Sequence, residues 1–197
     1  MTELCPSAAW PPAPITTERL VLRESEARDR AAFVGLFSSP EVNAYLGGPQ
    51  PREALERDMP AVPGRRPGLF VVDLDGAMIG QVLLTRDSGH LPQAEGRVEL
   101  GYLFLPSAWG RGYATEACEA ALAWFATTLP GEPVVLATQT ANAASMRLAS
   151  RLGFEEEQRF VAYEAEQSFA LRPPPRAPGR GKDDKGFRAG SRRAKGT

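Results

Sequence analysis

The spacing of hydrophobic residues predicts two kinds of element in the first half of the chain. Apolar residues recur at helical spacing over residues 27–37, whereas the segments on either side are short and apolar or alternate, as β-strands do. Asp75 and Gly76 both tolerate the positive φ of a tight turn, so they predict a hairpin between two of these strands. The pattern therefore predicts a short strand, a helix and an antiparallel meander, with strands at residues 20–23, 69–74, 77–84 and 97–105.

The second half of the chain has a different pattern. A glycine-rich turn at residues 110–112 leads into a predicted helix over residues 113–127, whose apolar residues share one face. A strand at 134–138, a helix at 142–152 and a strand after Gly153 and Phe154 resemble a βαβ unit. We therefore predict a mixed α/β (α+β) fold, antiparallel in its first half and βαβ-like in its second, around one sheet.

Length and composition fit a single folded unit. A chain of 197 residues with 43% hydrophobic content can bury one substantial core. We predict one domain over residues 15–171, a disordered leader at 1–14 and a disordered Pro/Gly/Arg-rich tail at 172–197. No segment has the roughly 20 apolar residues of a membrane span, and the leader lacks the features of a signal peptide. The sequence therefore predicts a cytoplasmic protein without membrane contact.

Charge is unevenly distributed along the chain. Residues 172–197 carry nine Lys or Arg against Asp183 and Asp184, so residues 1–171 have a net charge of −8 when the whole chain has −1. An acidic body suits a cationic amine substrate. The basic tail either contacts nucleic acid or the ribosome, or is a solvated extension.

The cysteines and the histidine predict little chemistry. Cys5 and Cys118 have no metal-ligand spacing, so no metal site is expected. Cys118 lies on the apolar face of its helix, where it is either a small buried hydrophobe or a nucleophile. His90, the one histidine, lies in a polar loop, and a Ser-His-Asp hydrolase would have to use it as its base.

The glycine-rich turn can bind an anion. Gly110 and Gly112 bracket Arg111 between a strand and a helix, so backbone N–H groups and the helix dipole can converge on one point. A P-loop would need Lys and Ser or Thr after Gly112, and a dinucleotide fingerprint would need a third glycine at Thr115. Taken alone, the turn predicts either an anion site or a simple chain reversal.

Three ordered motifs give this turn its context. They are Val98-Glu-Leu-Gly-Tyr-Leu-Phe-Leu-Pro, then Trp109-Gly-Arg-Gly-Tyr-Ala-Thr-Glu-Ala, then Asn142-x-x-Ser145-x-x-Leu148-x-x-x-Leu152-Gly-Phe. With the opening Thr17-Glu-Arg-Leu-Val-Leu-Arg, the chain resembles the GNAT superfamily of acetyltransferases over residues 17–169. Within it, the chain is similar to the RimJ/RimL-like branch of ribosomal-protein N-terminal acetyltransferases.

The resemblance implies a GNAT-like, mostly antiparallel sheet of seven strands that binds acetyl-CoA. Two parallel strands, here 97–105 and 134–138, would splay apart and admit the pantetheine arm, with backbone groups of Leu103 and Leu105 as its partners. Trp109 stands where the superfamily motif has Gln or Arg, as is familiar in this branch. The cofactor-binding residues implied are Leu103, Phe104, Leu105, Trp109, Gly110, Arg111, Gly112, Tyr113, Ala114, Thr115 and Asn142.

The resemblance also suggests catalytic residues. Glu99 is the candidate general base, or else a solvated strand residue. Ser145 would hydrogen-bond the leaving sulfur, and Asn142 would bind amide groups of the cofactor, act as a helix N-cap, or do both. Many superfamily members have a Tyr general acid seven residues after the Asn, but here Ala149 occupies that position.

These residues predict an acetyl-CoA-dependent N-acetyltransferase. The first expected acceptor is the N-terminal α-amine of a protein or peptide. The alternatives are a small amine, such as a polyamine or aminoglycoside, and a non-catalytic acyl-CoA-binding module. Acceptor specificity would lie in loops 46–66 and 88–96, whose Gly and Pro content predicts irregular walls, and the chain would be a monomer or a homodimer.

Overall fold

One open eight-stranded sheet forms the centre of the protein, and the computed structural model describes residues 12–86 and 92–175. Across the sheet the strands lie in the order β1-β2-β3-β4-β5-β6-β8-β7. In chain order they are β1 (Ile15–Thr16), β2 (Val21–Arg23), β3 (Leu69–Leu74), β4 (Ala77–Thr85), β5 (Val98–Phe104), β6 (Val134–Gln139), β7 (Glu155–Ala162) and β8 (Ala165–Arg172). The α-helices in this part of the chain are α1 (Arg30–Ser38), α2 (Arg52–Asp58), α3 (Tyr113–Thr128) and α4 (Ala143–Arg151).

The predicted fold class is confirmed. Strands β2 to β5 form the expected antiparallel meander, and the β3–β4 turn has φ of 52° at Asp75 and 86° at Gly76, as its sequence predicts. Within the described residues β5 and β6 are the one parallel pair, joined through α3.

The parallel pair separates soon after it begins. Val98 pairs with Val134 and Glu99 with Val135, and no further residues of the two strands pair. Because β5 continues to Phe104 and β6 to Gln139, a gap opens between them in the plane of the sheet. The splay predicted between residues 97–105 and 134–138 is therefore present.

Three features differ from the expectations. The sheet has eight strands because the short strand β1 pairs with β2, Ile15 lying opposite Leu22. The strand after Phe154 turns at Tyr163 and Glu164, and its return strand β8 lies between β6 and β7. Loop 46–66, expected to be irregular, contains α2, since Arg52–Asp58 is rich in helix-forming residues and follows Pro51.

Two main hydrophobic clusters cover the opposite faces of the sheet. Val98 and Leu100 of β5 pack in the cluster beneath α3 and α4, whereas Leu103 packs with Phe33 of α1 on the other face.

Cys118 is fully buried beneath α3, and burial raises the pKa of its thiol. It is therefore a small core residue, and the nucleophile alternative is wrong. No helix in residues 12–86 or 92–175 is long and apolar enough to cross a membrane.

Arg23 of β2 forms a buried ion network with Asp29 and with Asp73 of β3. Arg23 donates to both carboxylate oxygens of Asp29 at 2.7 and 2.8 Å, and to Asp73 Oδ2 at 2.9 Å. All three side chains are at most 9% exposed. Hydrogen bonds to Asp29 raise the pKa of Arg23, although burial acts to lower it. Burial acts to raise the pKa of Asp29, but its contacts with Arg23 lower that pKa overall.

We expect Arg23→Ala to lower the free energy of unfolding by about 3–5 kcal/mol, because Asp29 and Asp73 lose their buried cation and Asp73 keeps only the exposed Arg28 at 3.6 Å. Urea unfolding at pH 7 measures this. Since the pKa of Asp29 is depressed by folding, its contribution is present above the unfolded pKa near 3.9 and is lost as pH falls through the lower folded value. The matched control is Arg57→Ala, which removes an exposed pair with Asp58 and should leave the midpoint unchanged.

Candidate functional site

The glycine-rich turn and the first residues of α3 form a cradle of backbone N–H groups. Gly110 has φ of 73° and Gly112 has φ of 81°, a conformation that L-residues with a Cβ rarely adopt. Gly112 is the N-cap of the 16-residue helix α3, whose first N–H groups, from Tyr113 to Thr115, have no intrahelical acceptor. The turn can therefore present several N–H donors to one anion.

Trp109 connects this turn to the end of β5. Its indole Nε1–H donates to the carbonyl oxygen of Phe104 at 2.8 Å, while 49% of the residue remains exposed. This hydrogen bond connects the residue before the glycine-rich turn to Phe104, the last residue of β5.

The backbone of β5 corrects the expected partners of a pantetheine arm. Successive residues of a strand direct their N–H and C=O groups toward opposite neighbours. The N–H of Leu105 donates to Ile79 O of β4 at 2.9 Å, so Leu105 and Leu103 both direct their backbone groups toward β4. The groups that face the gap belong to Tyr102 and Phe104. We therefore replace Leu103 and Leu105 by these two residues as the backbone lining of the gap.

Glu99 lies at the point where β5 and β6 separate. It is the last residue of β5 that pairs with β6, and it is 9% exposed. The alternative of a solvated strand residue is therefore wrong. By the alternation of the strand, its side chain shares the α1 face of the sheet with Gly101 and Leu103.

A pair of hydroxyl groups lies across the gap on the other face. The Tyr102 hydroxyl and Ser145 Oγ are 2.5 Å apart, and Ser145 is 9% exposed. Burial raises the pKa of Tyr102 to about 12, although the hydrogen bond with Ser145 acts to lower it. Tyr102 therefore keeps its proton near neutral pH. Nothing in the sequence near Tyr102 distinguishes it from a core aromatic residue, because its partner is 43 residues away.

Helix α4 positions Ser145. Asn142 is the N-cap, and its Oδ1 accepts the backbone N–H of Ser145 at 3.1 Å, so the N-cap interpretation is confirmed. The Nδ2 group of Asn142 is not used in that bond. Ala149, at the position where a Tyr general acid was considered, is 6% exposed and packs in the cluster beneath α3.

Other candidates of the sequence lie elsewhere. Tyr163 is in the β7–β8 turn with 65% of its surface exposed. His90, Cys5 and most of the basic tail lie outside the described residues. Among residues 12–86 and 92–175, no three or more His, Cys, Asp and Glu side chains form a group that could hold a metal ion.

Comparison with known proteins identifies the class. A family model described as an acetyltransferase (GNAT) domain matches residues 19–155. The chain is 28% identical to the uncharacterized N-acetyltransferase p20 of Bacillus licheniformis, over 75% of this chain and 85% of that protein. A GNAT-family acetyltransferase from Bacillus anthracis superimposes with a TM-score of 0.67 at 21% identity, over 82% of this chain and 98% of that one. The chain belongs to the GNAT acetyltransferase family and is an acyltransferase.

Two further solved structures of the same fold have different acceptors. One, from Salmonella typhimurium, modifies the N-terminal serine of ribosomal protein L7/L12 and has a TM-score of 0.61 at 15% identity, over 81% of this chain and 98% of that one. The other is a spermidine N-acetyltransferase from Vibrio cholerae bound to CoA and spermine, with a TM-score of 0.62 at 19% identity, over 80% and 97%. At these identities the likeness extends to the fold alone.

We expect Asn142→Ala to lower the free energy of unfolding by about 1 kcal/mol, because α4 loses its N-cap acceptor. Asn142→Asp keeps an oxygen at the same position and should retain most of the stability. Thermal or urea unfolding of the two variants measures the difference. Equal losses in both would show that the cap oxygen does not stabilise α4.

Proposed function

We propose that this protein transfers the acetyl group of acetyl-CoA to the N-terminal α-amine of a protein or peptide, in the manner of the RimJ/RimL-like branch. The observation that carries the proposal is the gap between β5 and β6, which begins beside Glu99 and Tyr102 and ends at the glycine turn. A gap of this kind needs a ligand with one end that forms strand-like hydrogen bonds and another end that is an anion. Acetyl-CoA has both.

The residues of the gap fit the cofactor. Acetyl-CoA, when bound, supplies the acetyl group as a thioester. Backbone groups of Tyr102 and the N–H of Phe104 would pair with the pantetheine amides, while the carbonyl oxygen of Phe104 accepts the Trp109 indole. The N–H groups of residues 110–115 would hold the pyrophosphate, and Nδ2 of Asn142 has a donor left for a cofactor carbonyl.

Glu99 and the hydroxyl pair would have different roles, on opposite faces of the sheet. Glu99 would accept the proton of the attacking amine, directly or through one water. Ser145 would donate a hydrogen bond to the leaving sulfur, and Tyr102 would donate to Ser145. Because a thiol with a pKa near 8.5 is a better acid than Tyr102, the hydroxyl pair stabilises the thiolate without losing its proton to it. This pair would stabilise the departing thiolate where the general-acid Tyr is missing at position 149, and the thiolate would take its proton from water.

The acceptor would approach from the α1 face. A cleft of about 590 Å³ lies between α1, α2 and β4, with an apolar wall that includes Phe33 and Leu55. Gln81 lines this cleft at 7% exposure, and its Oε1 has no hydrogen-bond partner in the described structure. A peptide N–H would supply the missing donor. Gln81 pairs with Leu103, so it lies about 7–8 Å from Gly101 by the usual diagonal spacing of a sheet.

Gly101 leaves space for the amine. It lies between Glu99 and Leu103 on the α1 face, and a Cβ added there would meet no atom within 4 Å. An amine that enters over Gly101 would reach the gap next to Glu99. The path therefore joins the candidate base, the thioester position and the cleft.

The charges of the cleft favour a peptide over a polyamine. Arg65 and Arg66 line it together with Asp58, and Asp58 already pairs with Arg57 at 2.7 Å. Arg65 is itself paired with Glu24 at 3.1 Å, so Arg66 is the arginine that would repel a polyamine, and it can bind the carbonyl groups of a peptide. An α-amine with a pKa near 7.8 is also roughly one-tenth neutral at pH 7, while a lysine amine is less than about a thousandth neutral. A buried base is then sufficient for the α-amine.

Thiol release from acetyl-CoA tests the proposal with a panel of N-terminal peptides, lysine peptides, polyamines and aminoglycosides. We expect turnover with peptides that have a free α-amine, and none with the same peptides blocked at the N-terminus. Glu99→Gln should bind acetyl-CoA normally and lose most of the turnover. Binding without turnover of any acceptor would instead indicate an acyl-CoA-binding module, and faster turnover of polyamines would overturn the proposed acceptor.

A double-mutant cycle tests the hydroxyl pair. We expect Tyr102→Phe and Ser145→Ala each to lower kcat by about ten- to a hundredfold with little change in the KM for the amine, because each removes a hydrogen bond to developing negative charge. The double variant should be little slower than Ser145→Ala alone, since Tyr102 acts through Ser145. Losses that multiply would show that the two hydroxyl groups act independently.

A further inference from the structure

The opening segment of the chain lies against the glycine turn through one carboxylate. Glu116, in the first turn of α3, accepts Thr17 Oγ1–H at 2.6 Å and the backbone N–H of Arg19 at 2.9 Å on Oε1. The Arg19 Nε–H donates to Oε2 at 2.8 Å, and its NH2 group lies 2.6 Å from the same oxygen. Residues that are 97 to 99 positions apart in the chain thus share one ion-paired cluster.

The same guanidinium also touches the turn itself. Its NH1 group donates to the carbonyl oxygen of Arg111 at 3.0 Å, and the group lies over the ring of Tyr113 at 4.6 Å. A Cβ added at Gly112 would lie 3.4 Å from Arg19 NH2. Arg19 therefore contacts both the glycine turn, at Arg111, and the first turn of α3, at Glu116.

Arg19 still has donors to offer. A guanidinium has five N–H groups, and the contacts with Glu116 and Arg111 use three of them. One N–H on NH1 and one on NH2 remain, and the side chain is 42% exposed. Both lie at the edge of the cradle formed by Gly112 and the first turn of α3.

The ion pair also removes a charge conflict. Burial acts to raise the pKa of Glu116, but the hydrogen bonds from Thr17 and Arg19 lower it overall, so Glu116 is ionised at neutral pH. An unpaired carboxylate one turn below an anion site would repel a bound phosphate. The positive charge of Arg19 cancels it.

We propose that Arg19 is a cofactor-positioning residue, which orders the glycine turn through Arg111 and Glu116 and donates its remaining N–H groups to the pyrophosphate of acetyl-CoA. This inference rests on the proposed function, because the turn must bind that pyrophosphate. It also assigns a role to the Thr17-Glu-Arg-Leu segment, which the acetyl-transfer chemistry does not use. Thr17 and Glu116 hold the guanidinium in place.

Calorimetric titration of the full-length protein with CoA tests this role. We expect Arg19→Ala to raise the Kd for CoA on the order of ten- to a hundredfold, since it removes charge-assisted hydrogen bonds. Arg19→Lys keeps the positive charge but lacks the planar set of guanidinium N–H groups. Its Kd for CoA should therefore lie between that of the unchanged protein and that of Arg19→Ala. The matched control is Arg159→Ala, because Arg159 also bridges two carboxylates at 51% exposure but lies on β7. Its Kd for CoA should equal that of the unchanged protein.

Shortened cofactors distinguish positioning from a general loss of structure. Arg19→Ala should lose as much affinity for dephospho-CoA, which keeps the pyrophosphate, as it loses for CoA. Its kcat/KM for acetyl-pantetheine, which has no pyrophosphate, should equal that of the unchanged protein. An equal loss with acetyl-pantetheine would mean that Arg19 only stabilises the fold and would overturn the inference. Unchanged CoA affinity in both Arg19 variants would overturn it as well, whereas failure of the unchanged protein to bind CoA would overturn the proposed function itself.

Discussion

The site depends on the early separation of β5 from β6. A strand that loses its neighbour has unpaired backbone groups, which normally favours closure of the sheet. Each strand is nevertheless ordered by its other neighbour, β5 by six residue pairs with β4 and β6 by six residue pairs with β8. Hydrophobic clusters on both faces hold the two halves in place. The gap is therefore a stable feature of the fold, with backbone donors and acceptors that a strand-like ligand can use.

The position of the gap also determines where the proton-transferring groups can be. Side chains of a strand alternate between faces, so Glu99 and Tyr102, three residues apart, must lie on opposite sides of the sheet. In the proposed function, a thioester in the plane of the gap would have the Glu99 carboxylate on the side of the α1 cleft and the hydroxyl pair on the side of α4. An amine that attacks from one face would meet the base first, and the departing sulfur would meet Ser145.

The sequence predicts the elements of this site better than their contacts. Hydrophobic periodicity and the Asp75-Gly76 turn are local signals, and the strands, α3 and the glycine turn follow from them. The direction of the backbone groups on β5 is not local, since it depends on which neighbour pairs with Leu105. For the same reason the motif alone could not show that Tyr102 and Phe104, and not Leu103, face the gap. Only the folded chain brings Tyr102 to Ser145 and Arg19 to Glu116.

Position 149 of α4 has Ala where a Tyr was considered, while Tyr102 of β5 brings a hydroxyl group to Ser145. Ser145 and Ala149 are one turn apart on the same face of α4, so a side chain from position 149 would reach the region that the Tyr102 hydroxyl occupies. Ala149 and Tyr102 pack in the same hydrophobic cluster, and in a close-packed interior a second aromatic ring beside Ser145 would force repacking. A small residue at position 149 is therefore compatible with the hydrogen bond between Tyr102 of β5 and Ser145. In the proposed mechanism the hydroxyl donor would then come from the strand and not from the helix, and Ser145 would lie between Tyr102 and the sulfur.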